Sequence, residues 1–181
     1  TGEIIFDGNQ CKFSDIKDSE KKGIVIIHQE LALIPYLSIM ENIFLGNEQQ
    51  SSGIVNWNKT HSEALKLMDT VGLHDSPDTE INKIGVGKQQ LVEIAKALSK
   101  KVRLLIMDEP TAPLTVKETA VFFKIIQKLK QDHVTIIFIS HKLNEIFKIC
   151  DRITVMRDGQ YIGTKATKDM AYEELITMMV G

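Results

Sequence analysis

A few polar positions in this 181-residue sequence have the types and the placement for phosphoryl chemistry. Asp108 and Glu109 are adjacent carboxylates at the end of an apolar run, Val102-Arg103-Leu104-Leu105-Ile106-Met107, and Pro110-Thr111 follows them. Two neighbouring carboxylates can divide labour. Asp108 suits holding Mg²⁺, through water, and Glu109 suits taking a proton from an attacking water as general base. Gln29 and His141 each follow another apolar run, Gly23–Ile27 and Val134–Ile139. A glutamine there can help place Mg²⁺ and water, and a histidine can hydrogen-bond a terminal phosphate. The stretch Ile84-Gly85-Val86-Gly87-Lys88-Gln89-Gln90 puts two glycines just before a helical pattern. Such a start leaves backbone N–H groups at the positive end of a helix, where anions bind.

The elements that must position these groups follow from periodicity. The apolar runs predict buried parallel strands, and their C-terminal ends converge on one crevice of an open α/β sheet. From Leu31 to Leu98 the pattern is mostly helical. Ala64, Leu67, Met68 and Val71 recur at i, i+3, i+4, i+7, as do Leu91, Ile94, Ala95 and Leu98. Thr115-Val116-Lys117-Glu118 predicts a capping box opening a helix that buries Phe122, Ile125, Ile126 and Leu129. A short helix carries Leu143, Ile146, Phe147 and Cys150, and a hairpin turns at Asp158-Gly159. A last helix is expected to bury Tyr172, Leu175, Ile176 and Met179. An edge hairpin turns at Asp7-Gly8, residues 49–53 read as a surface loop, and the charge run Asp15–Lys22 reads as a solvated segment. His61, His74 and His133 stand in polar context and carry no expected chemistry, and Trp57 reads as a surface or partly packed aromatic. Alternating strands and helices predict an α/β sheet with a helical insert.

Composition sets limits on partners. With 43% hydrophobic and 25% charged residues the chain is ordinary globular material. A net charge of −2 gives no electrostatic case for nucleic acid or an anionic membrane surface. Cys11 and Cys150 have no metal-binding or redox spacing, which points to a reducing compartment. No apolar run approaches a membrane span. The first residues start mid-pattern without Met, so the chain reads as a fragment.

Taken in order, these motifs resemble the nucleotide-binding domain of ABC transporters over essentially the whole chain. Gln29 matches the Q-loop, Ile84–Gln90 the signature, Asp108-Glu109 the Walker B pair, Ala112-Pro113-Leu114-Thr115 the D-loop and His141 the switch histidine. The resemblance implies a P-loop NTPase-like α/β three-layer sandwich, with residues 31–98 as a helical subdomain within a partial ATPase domain spanning 1–181. It implies ATP and Mg²⁺ as cofactors, with Asp108 and Gln29 at the metal. Glu109, His141 and Gln29 would be the catalytic groups. Gly85, Val86, Gly87, Lys88 and Gln89 of the signature, and Thr115 of the D-loop, would meet nucleotide held by a second ABC ATPase domain, in tandem or as a dimer. Transmembrane permease subunits would dock near the region after Gln29, with a periplasmic or extracellular sugar-binding protein acting through them and no nucleic acid involved. The location implied is peripheral, on the cytoplasmic face of the cell membrane.

More narrowly, Ile26–Leu31, Gly87–Leu98 and Ser140–Glu145 resemble the ATP-binding subunits of bacterial monosaccharide importers, and Val102–Pro110 with Arg157–Gln160 the xylose-import group in particular. Two alternatives stand beside this: a soluble ABC-type ATPase acting on ribosomes or DNA, and a non-catalytic remnant.

The sequence departs from the family pattern in two places. No Gly-x-x-x-x-Gly-Lys-Ser/Thr phosphate loop occurs in it. The resemblance sets that loop, the Walker A motif, and the first strands upstream of Thr1. The 181 residues alone are therefore expected to bind ATP very weakly; saturable micromolar binding of a fluorescent ATP analogue would overturn that. The signature also carries Gly85 where the family usually has Ser, and Lys88 where it usually has Gln. A lost hydrogen bond to a charged group costs roughly 1.5–3 kcal/mol, whereas the added lysine charge works the other way. Pro113 is a smaller departure, removing an N–H from the D-loop.

Overall fold

The computed structural model describes residues 2–48, 50–51 and 54–181. They divide into two compact units, residues 1–137 and 138–181.

In the first unit, β1 (Ile4–Phe6) and β2 (Asn9–Cys11) pair antiparallel. Asp7 and Gly8 between them have φ of 52° and 72°, the doubly left-handed turn that Asp-Gly favours in two-residue hairpins. The charge run expected to be merely solvated forms a helix, α1 (Ile16–Lys21), with no buried residue. Its cap is local: the Asp15 carboxylate accepts the Asp18 N–H at 2.8 Å. Then β3 (Ile24–Ile27), β6 (Leu104–Asp108) and β7 (Thr135–Ile139), whose last two residues fall in the second unit, form a sheet in the order β3-β6-β7. β3 and β6 run parallel, with Ile24 opposite Leu104 and Ile27 opposite Met107. Val25, Ile27, Leu105 and Met107 bury one face. On the other, Ile26 and Ile137 stay 43% and 46% exposed.

Three helices fill the stretch between β3 and β6: α2 (Ile39–Phe44), α3 (Trp57–Thr70) and α4 (Val86–Leu98). They pack on one another, and α4 also packs on β3. α2 opens with a capping box in which Glu41 accepts the Ser38 N–H at 2.8 Å and Ser38 accepts the Glu41 N–H at 3.2 Å. The expected loop at 49–53 falls largely outside the described residues; β4 (Gln50–Ser51) pairs antiparallel with β5 (Ile54–Val55). After β6, α5 (Val116–Gln131) buries Phe122, Phe123, Ile125, Ile126 and Leu129, the expected face.

The second unit contains α6 (Leu143–Ile149), the antiparallel pair β8 (Arg152–Arg157) and β9 (Gln160–Ala166), and α7 (Tyr172–Val180). Its core is Ile146, Ile153, Val155, Met170 and Leu175. The expected burial of α7 is only partly realised. Leu175 alone is fully inside, while Tyr172 and Ile176 are 43% and 40% exposed. The helix meets β8 along a narrow stripe, and Tyr172 instead stacks on Phe147 with ring centroids 5.7 Å apart. No helix among the described residues is long and apolar enough to cross a membrane.

Candidate functional site

The parallel register of β3 and β6 positions the first three candidates. Ile27 stands opposite Met107. His28 and Gln29 follow the end of β3, and Asp108 and Glu109 stand at and just after the end of β6, so all lie at the C-terminal edge of the parallel pair. Asp108 is the last residue of β6, and Glu109 leaves the strand with φ of 47°. That left-handed conformation is uncommon for a residue with a side chain, and the following Pro110 already disfavours a right-handed helical one. The chain then turns, with the Ala112 N–H bonded to the Glu109 carbonyl at 3.1 Å. The strand end is thus redirected sharply just where the second carboxylate stands.

Hard oxygen donors suit Mg²⁺, and the Asp108 carboxylate at the end of β6 and the Gln29 amide oxygen beyond the end of β3 are such donors. Among the described residues no group of three or more His, Cys, Asp or Glu forms a cage, so a cation here would draw its remaining ligands from water and phosphate. Both Gln29 and His141 are exposed. His141 belongs to the second unit, two residues beyond the end of β7.

The segment after Gln29 is tied to the helices by its backbone. Asn42, fully buried, accepts the Ile34 N–H at 2.7 Å and donates to the Ile34 and Ser38 carbonyls at 3.1 and 3.0 Å. Lys96 of α4 donates to the Ala32 carbonyl at 2.8 Å. Glu93, one turn earlier, is 7% exposed. Burial raises its carboxyl above the ordinary range, against the opposing pull of Lys96, the Ala32 N–H, Lys100 and His28. A carboxyl raised on folding keeps its proton longer in the native state. The stability it contributes is whole below the unfolded value of about 4.3 and is lost as pH rises through the folded value. Glu93→Gln should therefore raise the melting temperature relative to wild type at pH 7.5 and lose that advantage at pH 4. An equal difference at both pH values would refute the assignment.

The signature stretch opens α4. Gly85 is its N-cap, with φ of −67° and no side-chain cap bond, and a Cβ there would meet nothing within 4 Å. Gly85→Ser should gain roughly 0.5–1 kcal/mol, from lower unfolded-state entropy and a new cap; thermal melting checks this, and a lower midpoint would contradict it. Lys88 donates to Asp75 at 2.8 Å, so its charge is met within the chain. Gln89 is engaged as well, donating to the carbonyls of Ile81 and Ile84 at 3.1 and 3.0 Å. Val86 is exposed and Gly87 buried. Thr115 caps α5: its hydroxyl and N–H donate to the Glu118 carboxylate at 2.7 and 2.8 Å.

Sequence reasoning missed Glu93 and Asp75, and did not foresee that Gln90, within the signature stretch, is buried. Apolar periodicity is blind to a polar residue on a buried face, and the Lys88–Asp75 pair joins positions thirteen apart.

With a carboxylate-bearing strand end on one side and a glycine-opened helix in a helical insert on the other, the arrangement is that of an ATP-binding cassette. The ABC transporter family profile matches residues 1–112, and the chain belongs to that family. In fold it resembles an ATP-binding cassette of an ABC transporter solved in its ADP conformation, at a TM-score of 0.80 and 22% identity, covering 98% of this chain and 72% of that one. A Clostridium perfringens protein that is part of an ABC transporter complex aligns over 98% of this chain and 71% of its own, at a TM-score of 0.80 and 23% identity. In sequence the chain is 56% identical to the L-arabinose transport ATP-binding protein of Geobacillus stearothermophilus, over 99% of this chain and 36% of that protein. It is 54% identical to the xylose import ATP-binding protein of Escherichia coli K12, over 99% of this chain and 35% of that protein. The chain thus spans about a third of the length of these curated relatives.

Proposed function

We propose that the complete protein is the ATP-hydrolysing subunit of an importer for an aldopentose, xylose or L-arabinose. The observation that carries this reading is identity of 51–56% to xylose and L-arabinose import ATP-binding proteins over 99% of the chain. On this reading Glu109 takes the proton of the attacking water, and Gln29, which follows the neighbouring strand, orients that water. Asp108 and Gln29 hold Mg²⁺, which when bound offsets phosphate charge. His141 donates to the terminal phosphate. Gly85 to Gln89 and Thr115 face ATP held by a second ATPase domain. Residues 31–98 act as a helical subdomain that carries the signature.

Permease subunits of the cell membrane dock beside the segment after Gln29, on the cytoplasmic face. A cleft of about 140 Å³ between α2 and α3, lined by Leu37, Met40, Phe44 and Trp57 among others, gives that surface apolar relief. The test is uptake by vesicles holding the complete protein with its permease and sugar-binding partners. Labelled xylose or L-arabinose should accumulate only with ATP and Mg²⁺. Recovery of the complete protein on ribosomes, with no ATP-driven sugar uptake, would sink the proposal.

A further inference from the structure

The two glycines at the start of α4 face different demands. A Cβ on Gly85 would meet open space. A Cβ on Gly87 would lie 1.9 Å from Glu118 Oε1, 2.3 Å from its Cδ and 2.9 Å from its Cγ. Real carbon–oxygen contacts are far longer, so the end of the Glu118 side chain fills the place that any other residue at 87 would need. Gly87 is buried there, in the first turn of α4.

Glu118 is not free to swing aside. Its Oε2 accepts both the N–H and the hydroxyl of Thr115, at 2.8 and 2.7 Å, while Thr115 Oγ1 accepts the Glu118 N–H at 3.3 Å. The same two Thr115 donors hold the carboxyl below its ordinary range, which keeps it ionised. A negative group beside the first turn of a helix also matches the helix dipole. A short path therefore runs from Asp108-Glu109, through the turn at 109–112 and the Thr115 cap, to Glu118 and on to Gly87.

We propose that Glu118 is a positioning residue: by seating its carboxylate against Gly87 it fixes the first turn of α4 relative to the 112–115 loop, so that both segments meet the partner domain's nucleotide as one unit. This rests on the functional reading above, in which those two segments face ATP held by a second ATPase domain.

The experiment is a double-mutant cycle in the complete protein, reading ATP turnover and melting temperature. Gly87→Ala drives a methyl into the Glu118 side chain and should lower kcat at least tenfold. Glu118→Ala loses the reciprocal half of the capping box, while the backbone N–H of residue 118 still donates to Thr115 Oγ1, and should lower it less. Combined, Glu118→Ala makes room for the methyl, so the double variant should turn over roughly fivefold or more faster than Gly87→Ala alone, the size of coupling seen between residues in contact. Glu118→Gln keeps the cap and the bulk, so it should give no such rescue. A glutamate that merely caps α5 predicts the opposite, a double variant worse than either single one, and that result in turnover or in melting overturns the inference. A folded wild type that hydrolyses no ATP, with melting temperatures still coupled, would count against the functional reading and leave the contact standing.

Discussion

Glu109→Gln in the complete protein is expected to lower ATP turnover by about two to four orders of magnitude, the usual contribution of a positioned general base, while ATP binding survives. The substitution keeps size and shape and removes only the ability to take a proton. Structural damage is a poor competing explanation. Glu109 has φ of 47° and its carbonyl accepts the Ala112 N–H at 3.1 Å. The local path is thus set by the backbone turn and by Pro110, which Gln leaves in place. Asp108→Asn should behave differently, raising the Mg²⁺ concentration needed for activity, because the last residue of β6 supplies an oxygen and no proton transfer. Turnover and binding of a fluorescent ATP analogue, measured side by side, separate the two. A Glu109→Gln variant with more than a tenth of wild-type turnover would remove Glu109 from the role of base.

That Gln29 and the carboxylate pair stand at the ends of neighbouring strands was readable in the sequence, and this is a matter of strand chemistry. Short, continuous β-branched and aliphatic runs suit the strands of an open α/β sheet, and in a parallel sheet the polar residues after each run share an edge. The register Ile27–Met107 then follows from both runs ending in the same place. The cap at Thr115 was equally legible, because a capping box is a local device whose partners lie three residues apart.

What stayed hidden depended on tertiary context. α1 has a good cap at Asp15 but no apolar face, so periodicity said nothing of it. Residues 172 and 176 look like a buried face of α7, yet only Leu175 enters the core shared with α6 and the β8–β9 ribbon, and Tyr172 stacks on Phe147 while staying partly exposed. Lys88 reads from sequence as a spare cation beside an anion site, and only the fold reveals Asp75 beneath it. The demand at Gly87 is of the same kind: nothing in Gly85-Val86-Gly87 tells one glycine from the other, until α5 brings Glu118 against the second.

Phe122→Ala should be the most damaging core substitution. Phe122 is fully buried and has one of the largest side chains so enclosed. Truncating a buried phenylalanine removes its transfer free energy and leaves a cavity, costing about 3–5 kcal/mol. Against a total stability of roughly 5–15 kcal/mol, that is enough to populate unfolded protein at growth temperature. The neighbours on α5 supply an internal control. Val116 and Val121 on the same helix are 89% and 45% exposed, so their replacement by Ala should change stability by no more than about 0.5 kcal/mol. The loss at Phe122 should also reach the site, because α5 begins at the Thr115 cap and carries Glu118. Denaturant midpoints on the complete protein measure the first effect, and turnover at a temperature where the variant is still folded measures the second. A midpoint shift for Phe122→Ala no larger than that for Val121→Ala would mean that the interior around α5 closes over the gap, and the helix would then be a weaker anchor for Glu118 than its burial implies.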